Sequence, residues 1–202
     1  MSRVRIYNPP RRQADRQRLL QIVAGTLSSE ALTRSDGRVV RSYVQGHLVL
    51  GDPSGLQLAA SLMMDAIRET AAEVVAGEVS AACALVSGIV TLSSKTDRPL
   101  TGRYVRREER PYGVPGRLNA PLPPGRNVFL VDDVAATGAS GERCIEAVQS
   151  LGHGVVAMMV VVDRDQGAAE RLARRGVRLS ALFTLDEVRN AGANSWQTAA
   201  SG

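Results

Sequence analysis

Lysine is almost missing from this chain. Of 25 basic residues only Lys95 is a lysine, and arginine supplies the rest. Aromatic residues make up 3% of the sequence, which leaves few platforms on which the bases of a single strand can stack. No apolar run approaches the roughly 18 residues of a membrane span. The opening "MSRVRIYNPPRRQADRQR" is basic but lacks the apolar stretch of a signal peptide. Cys83 and Cys144 are too few for a disulfide framework, and their apolar-periodic surroundings read them as small packed hydrophobes. His47 and His153 stand apart, so neither a Ser-His-Asp nor a Cys-His pattern is present, and no zinc-finger spacing occurs. The expectation is a cytoplasmic protein that engages neither membrane nor nucleic acid.

What is present is an excess of positive charge, +5 with a pI of about 9.9, spread over 202 residues. A small polyanionic ligand accounts for that balance as well as a nucleic acid does. The length suits one domain, residues 1–202, with material for a sizeable core. Residues 1–12 read as a loose arm. Helical spacing follows over 14–28, and 30–50 reads as strand, turn at Ser35-Asp36-Gly37, and strand. From there helices are expected at 52–71, 81–90, 141–151 and 166–176. Strands are expected at 73–77, 102–108, 154–164 and 177–184, and the last dozen residues read as a frayed tail. Strand and helix patterns alternate from residue 56 onward, which argues for an α/β fold whose mostly parallel central sheet is flanked by helices on both faces.

One stretch carries chemistry. In "NVFLVDDVAATGASGE" (127–142) a buried-strand run ends in Asp132 and Asp133, and small residues lead into a helical pattern. In open parallel sheets ligands bind beyond the carboxyl ends of the strands, which is where these acids fall. Small residues after a strand let the backbone turn tightly and aim its N–H groups at an anion at the next helix's start. Thr137 and Ser140 add hydroxyl donors, and Gly138 relaxes the backbone. A strand-to-helix turn in any α/β protein offers similar small residues. The two acids abutting this one make it a candidate pocket for a 5-phosphoribosyl group, with carboxylates for the ribose hydroxyls and amides for the phosphate.

"VFLVDDVAATGAS" resembles the PRPP-binding motif of type I phosphoribosyltransferases, and over about residues 14–189 the chain is similar to the orotate phosphoribosyltransferases. "LTRSDGRVVRSYVQGHLVLGDPSGLQLAA" resembles that family's base-binding hood, about 14–50, and its first long helix. "YVRREERPYG" resembles its mobile catalytic loop, about 106–117, and "VVVDRDQGAAERLARRGVRLSALFTLDEV" its closing segment, before a tail at about 190–202. The resemblance implies the type I phosphoribosyltransferase fold with a small N-terminal hood. It also implies transfer of 5-phosphoribosyl from PRPP to orotate, giving orotidine 5′-phosphate and pyrophosphate in pyrimidine synthesis. Asp132 and Asp133 then hold the ribose hydroxyls, directly or through waters on a Mg²⁺ cofactor, and no residue is assigned as a direct metal ligand. Ala136, Thr137, Gly138, Ala139 and Ser140 bind the 5-phosphate. Arg106, Arg107 and Arg110 contact pyrophosphate, with Arg107, Arg110 and Asp133 counted as catalytic. Arg164 reads the base, Arg34 lies near base and pyrophosphate, and a homodimer is implied because the loop reaches the neighbouring site.

The chain departs from the family pattern at Arg110, where a lysine is usual, and at Tyr112, where a histidine is usual. The stretch "AGEVSAACA" carries Glu78 and no lysine where a Gly-rich pyrophosphate loop is usual. A transferase for another heterocyclic base and a PRPP-sensing regulator are the alternative readings.

Overall fold

The structure, a computed structural model, describes residues 4–28, 32–33, 39–40, 43–110 and 116–199. The chain enters through a short strand, β1 (Arg5–Ile6), and the helix α1 (Gln13–Gly25). Four short strands follow: β2 (Leu27–Ser28), β3 (Leu32–Thr33), β4 (Val39–Val40) and β5 (Tyr43–Val44). Next come helices α2 (Gly46–Gly51) and α3 (Pro53–Arg68), strand β6 (Val74–Glu78) and helix α4 (Cys83–Ser93). Strands β7 (Thr101–Arg110), β8 (Gly116–Leu118) and β9 (Asn127–Ala135) lead to helix α5 (Ala139–Gln149). The last elements are β10 (Gly154–Asp163), α6 (Ala168–Ala173), β11 (Leu179–Thr184) and α7 (Leu185–Ala199).

Strands β1, β11, β10, β9, β6, β7 and β8 lie in that order in one sheet, and every pairing is parallel except β7 with β8. The mostly parallel sheet expected from the alternation is therefore present. From β6 the chain winds outward to β7. After β9 it winds the other way, through β10 to β11. The winding reverses between β6 and β9, and a crevice for ligand opens beside such a reversal at the strands' carboxyl ends.

Burial on both faces explains why the inner strands read as continuous apolar runs. Along β9, Val128 and Leu130 pack with Cys144, Ile145 and Val148 of α5. Phe129 and Val131 pack on the other face with Leu62 and Met63 of α3 and Ile89 of α4. Successive side chains of a strand alternate between faces. Asp132 thus continues the α5 face and Asp133 continues the opposite one.

Four segments differ from the sequence expectation. Residues 46–51 form α2 rather than extending a strand: Val49 and Leu50 are buried while Leu48 is 48% exposed. Asp52 then caps α3, its Oδ1 accepting from the Gly55 amide at 2.7 Å with Pro53 at the first helical position. The arm is not loose throughout, since β1 pairs with β11 and the Tyr7 amide donates to the Ala181 carbonyl at 2.8 Å. The tail is helical through Ala199. Its start is a capping box, in which the Glu187 amide donates to Thr184 Oγ1 and the Thr184 amide to Glu187 Oε2, each at 3.1 Å. Buried Arg16 ties α1 to this start, donating to Glu187 Oε1 at 2.8 Å and the Leu182 carbonyl at 2.7 Å. Finally, the segment expected as a mobile loop, about 106–117, begins and ends in paired strands, with Val105 opposite Leu118 and Arg110 opposite Gly116.

The N-terminal strands pair as expected, Leu32 with Val40 and Thr33 with Val39, while the Ser35-Asp36-Gly37 turn lies outside the described residues. Cys83 and Cys144 are both free thiols.

Candidate active site

The two acids at the end of β9 have different surroundings because the pleat separates them. Asp132, 5% exposed, accepts from Ser140 Oγ of α5 at 3.1 Å and from the Asp133 amide at 3.0 Å. Burial, with the Asp133 charge beside it, pushes the Asp132 carboxyl up to about 8. Asp133 faces the start of α2, and a Cβ on Gly46 would lie 2.0 Å from Asp133 Oδ2. Only glycine lets the helix start come so near. Burial raises the Asp133 carboxyl too, while the Val134 amide at 2.7 Å and the charge of His47 act the other way. His47, isolated in the sequence, thus stands beside the acid pair. An His that follows a glycine ahead of the long helix was the only sequence signal of it.

Beyond the acids the chain turns at Ala136, Thr137 and Gly138 into α5. Gly138 holds φ +75°, and a Cβ there would meet Leu172 Cδ1 at 2.8 Å and Ala168 Cα at 3.0 Å. Glycine is required by conformation and by the close passage of α6. A helix's first amides have no carbonyl one turn behind them, so the Ala139 and Ser140 N–H groups open toward the turn. Thr137 is exposed there and Ser140 is half-buried. The cradle read from the sequence is therefore an amide-lined helix start with hydroxyls on its rim, suited to a phosphate.

Across the crevice β6 ends in Glu78. Its carboxylate, 5% exposed, is gripped by Arg143 of α5, with Nε on Oε1 and Nη2 on Oε2 at 2.8 Å each. Arg107 of β7 reaches the same carboxylate at 3.4 Å with its side chain 74% exposed. Glu78, Val79, Ser80, Ala81, Arg107, Asp132, Asp133 and Ser140 line one cavity of about 520 Å³. The structure so brings together Asp132, Asp133, Ser140 and Arg107 among the residues expected at the site.

Others lie apart. Arg106, one residue from Arg107, points to the opposite face and donates to the carbonyls of Gly116 at 3.2 Å and Leu118 at 3.0 Å. That binding to β8 braces the hairpin. Arg164 follows β10 at the same sheet edge, its amide bonded to the Ala135 carbonyl at 2.8 Å. It lines a neighbouring cavity of about 640 Å³ with Asp163, Asp165, Thr184, Asp186 and Arg189, rather than the one that holds the acids. Arg34, Tyr112 and the side chain of Arg110 lie outside the described residues.

A further cavity of about 400 Å³ holds Arg98, Arg103 and Arg126 at the amino ends of the strands. Its guanidinium groups are engaged by the chain itself: Arg98 by the Thr70 carbonyl at 3.0 Å, Arg103 by the Pro121 carbonyl at 2.6 Å, and Arg126 by Glu73. Among the described residues no group of three His, Cys, Asp or Glu side chains could hold a metal ion. Asp132 and Asp133, both pushed up by burial, are the residues that could hold a hydrated Mg²⁺, since Mg²⁺ usually takes only one or two protein carboxylates.

No protein-family model matches the chain. The orotate phosphoribosyltransferase of Aeropyrum pernix is 35% identical over 162 residues, 76% of this chain and 81% of its own length. That of Rhodopirellula baltica is 31% identical over 170 residues, 79% of this chain and 88% of its own. The crystal structure of Mycobacterium tuberculosis orotate phosphoribosyltransferase in complex with PRPP superimposes with a TM-score of 0.72 at 26% identity, covering 86% of this chain and 98% of that one. With identity of this order over more than three quarters of its length, the chain belongs to the orotate phosphoribosyltransferase family.

Proposed function

We propose that this phosphoribosyltransferase joins orotate to the ribose of PRPP in the crevice between β6 and β9, with Asp132, Asp133, the α5 start and Arg107 as its working parts. One observation carries the reading: an acid pair, the start of α5 and an arginine meet at the reversal of strand order. Asp132 and Asp133 accept from the ribose hydroxyls. Ala136, Thr137, Gly138, Ala139 and Ser140 hold the 5-phosphate through amides and hydroxyls. The base enters from the side of the N-terminal strands and Arg164, which follows β10.

In the reaction a ring nitrogen of orotate gives up its proton to water or the leaving pyrophosphate and bonds to ribose C1 as the bond from C1 to the pyrophosphate oxygen breaks. Positive charge develops on the sugar and negative charge on the leaving pyrophosphate. Arg107, with Arg110 beyond it on the hairpin, stabilises that leaving charge, and electrostatic preorganisation of this kind is the largest catalytic contribution in many enzymes. Asp133 and Asp132 fix the ribose so that the nitrogen and C1 stay in line. A hairpin folded over the crevice excludes the water that would otherwise take the sugar. When bound, Mg²⁺ neutralises the polyphosphate. Arginine at Arg110 keeps the charge of the usual lysine and adds a two-pronged grip. The family resemblance also supports a cytoplasmic homodimer in which the hairpin serves the neighbouring site.

The test is direct: orotate, PRPP and Mg²⁺ are mixed with the protein and orotate absorbance is followed. Its loss, with pyrophosphate formed in equal amount, is the expected result. Turnover of a different heterocycle, with orotate ignored, would refute orotate as substrate while leaving the sugar-phosphate pocket standing.

A further inference from the structure

Glu78 is an odd residue for a pocket that receives pyrophosphate. It puts a carboxylate on the wall of the cavity that holds Asp132 and Asp133, the one proposed to receive a polyanion. Its two oxygens are already satisfied by Arg143, each bond 2.8 Å long, and this side chain pair spans from β6 to α5. Arg107 makes a third, looser contact at 3.4 Å from the exposed side. The two arginines are therefore unequal. Arg143 can keep Glu78 paired by itself, and Arg107 can leave without stranding a buried charge.

We propose that Glu78 is a built-in stand-in for pyrophosphate: it parks Arg107 at the mouth of the crevice in the free protein and yields it to the ligand. This rests on the reading of the crevice as the PRPP site. Parking keeps a long, mobile side chain near its working position, so less freedom is lost when the ligand arrives. Its cost is competition, because the carboxylate and the pyrophosphate draw on the same guanidinium. That competition weakens product binding, which favours release in an enzyme whose leaving group is itself a strong ligand for arginines. The Glu78–Arg143 pair meanwhile stays neutral and fixed, so the β6 end keeps its shape whether Arg107 is parked or engaged.

The experiment is calorimetric titration of pyrophosphate, with and without Mg²⁺, into the wild-type protein and Glu78→Gln. Glutamine keeps the shape and a carbonyl for Arg143 but gives up the charge. Pyrophosphate should bind roughly two- to fivefold more tightly to the variant, the range that release of one partly exposed ion pair commands. In an Arg107→Ala background the same Glu78→Gln change should lose that gain, since the competed side chain is gone. Glu78→Asp, which keeps Arg143 but draws the charge back from Arg107, gives the same sign if the glutamine variant does not fold. Equal or weaker pyrophosphate binding in the folded variant, or a gain that persists without Arg107, overturns the inference. Wild-type protein that binds neither pyrophosphate nor PRPP overturns the site reading instead.

Discussion

Asp132 and Asp133 are adjacent in the chain, yet the pleat of β9 sends one carboxylate to Ser140 at the start of α5 and the other to Gly46 at the start of α2. A single dipeptide so reads both layers of the protein at once. The α5 side is the proposed phosphate cradle, and the α2 side is the one from which the base is proposed to enter. Moving either helix start moves the acid that abuts it.

Substituting the acids separates activity from stability. Asp132→Asn or Asp133→Asn should lower PRPP-dependent turnover roughly 10- to 100-fold, from the ~1.5–3 kcal/mol of a hydrogen bond to a charged group. Steady-state rates at saturating orotate measure it, and unaltered turnover in both variants would remove the pair from the site.

The same substitution has a pH signature in the ligand-free protein. Asp132 takes a proton at about 8 when folded, against an ordinary carboxylate value of 3.8 when unfolded. Between those limits the folded state binds more protons, so this group's effect is to lower stability as pH rises through the window. Asp132→Asn should therefore raise the melting temperature by several degrees at pH 8 and by little at pH 4, since each kcal/mol is worth roughly 2–4 °C at this size. Thermal denaturation across that range checks it, and a gain that is uniform with pH contradicts the burial argument.

Arg106 and Arg107 should part company. Arg107→Ala should raise the KM for PRPP several-fold with the melting temperature nearly unchanged, because its side chain is 74% exposed. Arg106→Ala removes the bonds to Gly116 and Leu118, so it should lower thermal stability and affect PRPP only secondarily. The opposite assignment of effects would show that the hairpin's faces are reversed in solution.

Gly46→Ala tests the α2 side. A methyl group 2.0 Å from Asp133 Oδ2 forces the acid or the helix start to move. PRPP-dependent kcat/KM should fall at least about tenfold with circular dichroism unchanged, a misplacement effect of the size that imprecise positioning produces. Wild-type kinetics in this variant would mean that Asp133 needs no fixed position.

Arg164 carries the base reading. Its amide bond to Ala135 survives truncation of the side chain, so Arg164→Ala should leave the β9–β10 edge intact. The KM for orotate should rise roughly tenfold or more while that for PRPP changes little, as loss of one charged hydrogen bond predicts. Equal changes for both substrates would make the residue structural.

Periodicity and punctuation determined the sheet by themselves. The apolar runs at 128–131 and 158–162 are too long to bury on one face, and the alternation with helical segments leaves a parallel sheet as the consistent arrangement. The acid pair and cradle were legible for the same reason, being contiguous: strand end, two acids, small residues and helix start obey local rules that hold wherever the segment folds. The capping box at Thr184 and Glu187 was equally local, and its spacing alone marks the helix that replaces the expected frayed tail.

Only the tertiary structure decided what depends on distant partners. That Glu78 is neutral in effect follows from Arg143, 65 residues away, and no local pattern announces that pairing. Arg106 and Arg107 are identical in sequence terms, and the hairpin's pairing turns one into a brace and the other toward the acids. The charge of His47 reaches Asp133 because Gly46 lets α2 approach that acid, a contact between segments more than 80 residues apart. Local rules fix each segment's conformation, but the charge that a side chain feels is set by whatever the fold stacks against it.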